Sequence, residues 1–182
     1  VTAGDIADDT AADPVWRAIA TKRAIRAFAD RPLDPTHLER ILAAGRRAHS
    51  SQNQQRWAFI VCRDREHLRE LSTLGPWAGH LAGAAVGIAL VTPDPRAPEA
   101  PLSVMFDLGQ AADAMMLAAW ELGVGSVPAT VYEQDRAREL LGYPDDRHCE
   151  FLLSFGYPAE DWQPAKMGGR KPLDDIVRWE RW

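Results

Sequence analysis

Apolar residues at helical spacing follow two similar start signals near the amino terminus. Asp13-Pro14 and Asp34-Pro35 each combine an acidic cap with a proline at the first helical position, which is a common way for a helix to begin. We therefore predict a short helix from Asp13, and a second helix whose apolar positions run from Leu38 to Ala48.

Further along the chain, aromatic and β-branched residues are concentrated in runs of strand length. Trp57–Cys62, Ala84–Thr92 and Cys149–Pro158 are the clearest of these runs. Residues Ser126–Val131 should form a strand or a strand-like loop. These segments predict the strands of one sheet.

Helical patterns separate the strands. Residues 64–74 and Glu133–Leu141 have the charge pattern of surface helices, whereas Ser103–Leu122 is apolar on nearly all sides, apart from a few polar positions such as Asp107 and Asp113. That longer segment is typical of a central helix in the core or at a subunit interface. Helices and strands alternate without a regular period, so the expected fold class is α+β, with a central sheet flanked by helices.

The two ends of the chain differ from its middle. Residues 1–12 are small, acidic and aperiodic, and we expect a flexible arm there, with one domain over residues 13–182. The tail carries Trp162, Trp179 and Trp182, which is more aromatic surface than water favours. We therefore predict that the tail reaches across to another subunit.

Composition narrows the possible partners. The 182 residues carry a net charge of −5, which gives no general reason to expect nucleic acid or an anionic membrane, although a local basic pocket is still possible. No apolar run is long enough to cross a bilayer, and the first residues lack the pattern of a secretory signal. A cytoplasmic location is expected.

Cysteines and histidines give no sign of a metal site. Cys62 and Cys149 each lie in an apolar stretch and are predicted to be core residues. His37 and His67 are interpreted as solvated helix residues. Walker, HExxH, CxxC and GxSxG motifs are all missing, so phosphate transfer, zinc hydrolysis and esterase chemistry have no basis in the sequence.

Three segments do carry candidate chemistry. In KRAIRAF, Lys22, Arg23 and Arg26 follow the first helix, where cations could either complement the last helical carbonyls or bind an anion. HSSQNQQRW supplies hydroxyl and amide groups that suit a polar ligand, although taken alone it is a solvated loop. In GGRKP, two glycines would let Arg170 approach a ligand closely.

Together and in this order, the three segments resemble those of the FMN-dependent nitroreductase family. Lys22–Phe28 is similar to the family's Arg-Arg-Ser-x-Arg-x-Phe, and His49–Trp57 to its Pro-Ser-Ser-x-Asn-x-Gln-Pro-Trp. The central helix running into ELGVGS resembles the family's Ala-rich helix and Gly-Leu-Gly-Ser, and Arg170-Lys171-Pro172 its closing Arg-x-Pro. The resemblance implies a mainly antiparallel central sheet.

The resemblance also implies roles for residues around flavin mononucleotide (FMN). Lys22, Arg23 and Arg170 would hold the phosphate and ribityl end, Arg26 would lie toward the pyrimidine edge, and a backbone amide within Pro128–Val131 would face flavin N5. Ser50, Ser51 and Asn53 would meet the flavin of the partner subunit, which implies a homodimer with FMN at the interface. The expected cofactor-binding residues are Lys22, Arg23, Ala24, Arg26, His49, Ser50, Ser51, Asn53, Pro128, Ala129, Thr130 and Arg170.

The chain departs from the family motifs at four positions. Ala24 stands in place of a serine, Lys22 in place of an arginine, and His49 and Arg56 in place of prolines. Loss of a hydroxyl and of a bidentate cation predicts lower FMN affinity. For His80, just ahead of the second strand, we favour a surface or capping role over one at the flavin pyrimidine edge.

The implied reaction passes hydride from NAD(P)H, as co-substrate, through flavin N5 to an electron-poor small molecule such as a nitroaromatic or quinone. The cofactor carries this chemistry, so no side chain is expected to be catalytic, and no metal is expected. Two alternatives stay open, because fold does not fix function. One is an enzyme of the same fold with another flavin reaction, and the other is a non-catalytic protein that binds or stores flavin.

Overall fold

The computed structural model describes residues 13–164 and 169–182, which fall into two compact units. The described part of the first unit comprises residues 13–21, 163–164 and 169–182, and the second unit comprises residues 22–162. The arm predicted at residues 1–12 lies outside the described residues. The single domain expected over residues 13–182 stays a prediction.

The second unit is built on one antiparallel sheet. In the described part of the chain its strands lie in the order β1-β2-β4-β3, and each neighbouring pair is antiparallel. This confirms the α+β prediction, and the segment at Ser126–Val131 is a true strand. The strands are β1 (Ala58–Cys62), β2 (Val86–Pro93), β3 (Gly125–Thr130) and β4 (Arg147–Gly156).

The helices begin and end close to their predicted positions. Asp13 Oδ1 accepts the backbone N–H of Val15 at 2.9 Å, and Asp34 Oδ1 accepts that of Thr36 at 2.8 Å, as expected for acidic caps. The second helix ends at Arg46, before the predicted Ala48. The helices are α1 (Pro14–Thr21), α2 (Pro35–Arg46), α3 (Arg65–Leu71), α4 (Ser103–Glu121), α5 (Gln134–Leu141) and α6 (Leu173–Ile176).

Each face of the sheet supports its own apolar cluster. Ile41, Met115 and Phe155 belong to the cluster under α2 and α4, which is the central helix that the sequence predicts. Leu71 and Leu152 belong to the cluster under α3 and α5. The two helix layers leave the outer edge of β3 for other contacts.

Both cysteines are core residues, as predicted. They are free and buried in the cluster under α3 and α5, and burial raises the pKa of Cys62 to about 11 and that of Cys149 to about 12. The interpretation of His37 and His67 as solvated is wrong. Both are half-buried: the His37 ring bonds the Tyr157 hydroxyl at 3.0 Å, and His67 Nε2 is enclosed without a partner in the described residues.

Among the described residues, no helix is long and apolar enough to cross a membrane. In the first unit, the tail exposes large apolar side chains, with Trp179 81% and Trp182 101% accessible. The predicted contact of this tail with a partner subunit stays a prediction.

Candidate functional site

The first candidate segment lies at the outer edge of β3. Residues 22–28 leave α1 in an extended conformation, and Ile25 donates its backbone N–H to the carbonyl of Ser126 at 3.1 Å. Ile25 is fully buried against Gly125, where a Cβ would lie 2.5 Å from the Ile25 Cβ. The glycine therefore lets the segment pack closely against β3 at Ile25.

The cations of this segment have different surroundings. Lys22 Nζ lies 3.9 Å from Asp113 Oδ1 on α4, and the Lys22 side chain is half-buried. Arg23 turns back and donates to the Lys22 carbonyl at 3.0 Å. Arg26 is exposed, one residue beyond the buried Ile25. Of the three predicted cations, Lys22 and Arg23 therefore make contacts within the protein, whereas Arg26 is exposed.

The edge of β3 offers a specific backbone donor. The Ser126 carbonyl faces outward, because it accepts the Ile25 N–H, and alternate strand residues direct their backbone groups to the same side. Pro128 and Thr130 therefore also face this edge, and Pro128 has no N–H to donate. By the same alternation Ala129 faces β4, since Val131 donates to the Glu150 carbonyl. Thr130 is left as the donor on this stretch of β3.

His80 sits beside this edge rather than on the surface. Its Nδ1 lies 2.8 Å from the hydroxyl of Ser154, a fully buried residue whose oxygen is also 3.3 Å from the Val127 carbonyl. Its Nε2 is enclosed without a hydrogen-bond partner among the described residues. Burial and the nearby Arg26 guanidinium lower the pKa of His80 to about 4, against a smaller opposing effect of the Pro128 carbonyl.

The surface or capping position that we favoured for His80 is therefore wrong. The ring is half-buried, and its electrostatic neighbours are Arg26 and the Pro128 backbone of the predicted site. The contact with Ser154 joins residues 74 positions apart, and no local pattern in the sequence could have revealed it.

The second candidate segment is a strained loop. Ser51–Asn53 forms a single 3-10 turn, and three non-glycine residues of the loop have left-handed backbones: Gln52 at φ 53°, Asn53 at 55° and Gln55 at 48°. Such conformations are unfavourable for residues with a Cβ and recur at binding sites. Ser50 Oγ accepts the Gln55 backbone N–H at 3.0 Å, and the Gln55 amide bonds Asn53 at Oδ1.

A carboxylate on the central helix holds this loop in place. Asp107, only 4% exposed, accepts the backbone N–H of Ser51 through Oδ2 at 3.0 Å. The sequence marked Asp107 as a polar residue in an apolar helix but did not give it this function. A buried carboxylate in a central helix is the signal that could have identified it, because such a group needs a partner.

Two aspartates of α4 contact the two candidate segments of the second unit. Asp107 anchors the loop of Ser50, Ser51 and Asn53, and Asp113 pairs with Lys22. Six residues of helix separate these anchors by about 9 Å along the axis and place them on different faces. His49, at the start of the loop, is exposed. The second unit thus presents two separate candidate patches, one at the β3 edge and one at the loop. Arg170 belongs to the first unit, and its role stays a prediction.

Among the described residues, no group of three His, Cys, Asp or Glu side chains could hold a metal ion. The chemistry of the two patches is instead that of cations, backbone N–H groups and side-chain amides. These groups recognise anionic and hydrogen-bonding parts of a planar organic ligand.

Comparison with known proteins agrees with this picture. An Archaeoglobus fulgidus protein, provisionally named an NADH dehydrogenase/NAD(P)H nitroreductase, is 36% identical over 169 residues, which is 90% of this chain and 96% of the relative. The FMN-dependent nitroreductase of Clostridium difficile shares 25% identity at a TM-score of 0.78, with 91% of this chain and 98% of that chain covered.

A further solved structure supports the fold. B. megaterium NfrA2 superposes with a TM-score of 0.83 at 24% identity, with 93% of this chain and 75% of that chain covered. A model of the nitroreductase family matches residues 19–77 and 73–157, which include both patches of the second unit. The chain therefore belongs to the nitroreductase family.

Proposed function

We propose that this protein is an FMN-dependent oxidoreductase that passes hydride from NAD(P)H to an electron-poor acceptor such as a nitroaromatic or a quinone. The class of NAD(P)H-dependent oxidoreductase agrees with the names of its relatives. The observation that carries the proposal is the outer edge of β3, where a backbone N–H of Thr130, the cation of Arg26 and the enclosed ring of His80 occur together.

The residues at this edge fit the cofactor. His80 supports this edge from inside the fold, because its ring is enclosed, its Nδ1 lies 2.8 Å from the Ser154 hydroxyl, and the Pro128 backbone of β3 is one of its electrostatic neighbours. Arg26 faces outward and can bind an anionic or carbonyl edge. When bound, FMN supplies the hydride chemistry through N5.

Each element of the chain then has a task. Thr130 would donate its N–H to flavin N5, and a backbone amide suits this task because it has no redox chemistry of its own. Arg26 would stabilise the negative charge that reduction places on the pyrimidine edge. Lys22 and Arg23 would hold the phosphate and ribityl end, where each charge-assisted bond contributes about 1.5 to 3 kcal/mol.

The pairing of Lys22 with Asp113 weakens the interaction that Lys22 could make with a phosphate. At 3.9 Å the carboxylate competes with a phosphate for the same ammonium, and Ala24 adds no hydroxyl. We infer that the protein binds FMN less tightly than a chain with arginine and serine at these positions.

The separation of the two patches supports a homodimer. The loop of His49, Ser50, Ser51 and Asn53 is fixed by Asp107 on a different face of α4 from the one that meets Lys22. We propose that this loop completes the flavin site of a second copy, and that the exposed tryptophans of the tail pack on that copy.

The experiment begins with the absorbance spectrum of the purified protein, recorded without air before and after NADH or NADPH is added. A yellow protein that bleaches with either nucleotide and recovers when menadione is added supports the proposal. A protein that binds FMN but is not reduced would instead be a flavin-binding or storage protein. A colourless protein that takes up no added FMN would refute the cofactor assignment.

Variants of the edge refine this test. Arg26→Gln should weaken FMN binding and lower the flavin reduction potential, because it removes a cation from the pyrimidine edge. Arg40→Gln, an exposed arginine on α2 outside both patches, is the matched control and should change neither quantity. Equal potentials in the two variants would remove Arg26 from the site.

A further inference from the structure

A cavity of about 720 Å³ opens on the sheet face that carries α3 and α5, at the start of β1. Its apolar floor includes Ala58, Ile60 and Val91, and Tyr143 and Pro144 from the loop before β4 close one side. The volume lies within the range of small-molecule sites. None of the residues of the β3 edge lines it.

Two arginines line this cavity, and they are incompletely paired. Arg56 is half-buried, and its guanidinium makes no ion pair or hydrogen bond within residues 13–164 and 169–182. Arg147 Nε lies 3.5 Å from Asp146 Oδ2, a carboxylate that is 74% exposed. No carboxylate side chain is among the residues that line the cavity. In a chain of net charge −5, this is a local cationic site.

The environment of Arg56 lowers the stability of the protein when no ligand is bound. A half-buried charge without a partner loses hydration and gains no compensating bond. The residue follows directly on the strained loop, whose Gln54 and Gln55 also line the cavity. Residues that reduce stability are retained where they serve binding.

We propose that this cavity binds a small amphipathic anion. Its carboxylate or phosphate head would lie between Arg56 and Arg147, which are the side chains best suited to planar, two-point recognition of such groups. Its apolar body would cover Ala58, Ile60 and Val91, and the amides of Gln54 and Gln55 would close the rim. The site goes beyond the proposed flavin chemistry and does not depend on it.

The test compares two probes of the same shape and different charge. Para-fluorobenzoate carries the anionic head, and para-fluorobenzamide is its neutral counterpart; both are titrated into the protein of residues 1–182 and followed by fluorine NMR. We expect the benzoate to bind and the benzamide to bind at least about tenfold more weakly, which is the effect of losing about one charge-assisted bond. Para-fluorophenyl phosphate then shows which anionic head is preferred.

Substitutions of single arginines show where the probe binds. Arg56→Gln and Arg147→Gln should each weaken benzoate binding at least about tenfold, whereas Arg136→Gln, an exposed arginine of α5 outside the cavity, should not. Thermal unfolding of Arg56→Gln without probe should occur at or above the wild-type temperature, because a costly unpaired charge has gone.

Three results would overturn the proposal. These are equal binding of benzoate and benzamide, equal benzoate binding by Arg56→Gln and wild type, or loss of benzoate binding in Arg26→Gln alone. The last result would place the anion at the β3 edge instead. FMN uptake, measured on the same samples, reports separately on the proposed function.

Discussion

The strained loop contains two glutamines that form a matched pair for measuring its strain. Gln52 has φ 53° and ψ 22°, whereas Gln54 has φ −74° and ψ −22°. Both residues are exposed, and neither side chain makes a hydrogen bond within the described residues. Replacing either one with glycine changes the unfolded chain in the same way, so the two variants differ only in the backbone conformation that the folded protein demands.

The expected effects have opposite signs. A left-handed backbone costs a residue with a Cβ about 1 to 2 kcal/mol, and glycine avoids that cost. Glycine also loses about 0.5 to 1 kcal/mol through the greater freedom of the unfolded chain. Gln52→Gly should therefore raise the free energy of unfolding by about 0.5 to 1 kcal/mol, and Gln54→Gly should lower it by about the same amount.

Urea unfolding of both variants, at one protein concentration, measures the difference. We expect Gln52→Gly to be more stable than Gln54→Gly by about 1 to 2 kcal/mol, with the same dependence on urea. Equal midpoints would show that the left-handed backbone of Gln52 carries no strain. That result would also remove the reason for treating this loop as a site where stability is given up for binding.

Three further predictions concern the packing of the site. Asp107→Leu should speed hydrogen exchange at the Ser51 amide by removing a bond of about 1.5 to 3 kcal/mol, whereas Asp113→Leu should not. Gly125→Ala should lower the free energy of unfolding by about 1 to 3 kcal/mol because its methyl group would overlap Ile25, and Gly109→Ala, with open space around it, should be neutral or stabilising in the same denaturation assay. The raised pKa values of Cys62 and Cys149 should keep both thiols unreactive to a disulfide reagent at pH 8 until the protein unfolds, and should make stability fall as pH rises from about 9 toward 12.

The sequence predicted those parts of the fold that depend on local pattern. The acidic caps at Asp13 and Asp34 and the apolar strands were predicted correctly, since short-range bonds and burial of one face determine them. The family resemblance was also correct, because the order of the motifs along the chain is a property of the sequence, whereas the roles it implies for the site residues stay predictions.

The remaining features depend on which partner each residue meets. Thr130 is the outward donor of β3 only because Ser126 pairs outward with Ile25, and this choice of edge is made by tertiary contacts. Gln52 is left-handed although glutamine has no preference for that conformation, so composition gives no warning. His80 and Ser154 meet across the fold. In each case the sequence predicts where the residue lies along the chain, and only the structure shows which group it contacts or which backbone conformation it adopts.

The environment of His80 makes a final prediction about pH. Burial and Arg26 lower the pKa of its ring from 6.5 to about 4, so at intermediate pH the unfolded chain binds a proton that the folded protein does not. The contribution of His80 to stability is therefore complete above pH 6.5 and is lost as the pH falls through that value toward 4. Stability of the wild type should rise with pH across this window.

The variant His80→Gln isolates this effect, because its amide can keep a bond to the Ser154 hydroxyl and cannot titrate. Subtracting its stability curve from that of the wild type between pH 4 and pH 7 should leave a difference that grows with pH. A flat difference for His80→Gln would mean that the ring accepts a proton in the folded protein as readily as in the unfolded chain. The β3 edge would then carry a second cation beside Arg26 in place of a neutral ring. Two positive charges, and not Arg26 alone, would then stabilise the negative charge of the reduced flavin.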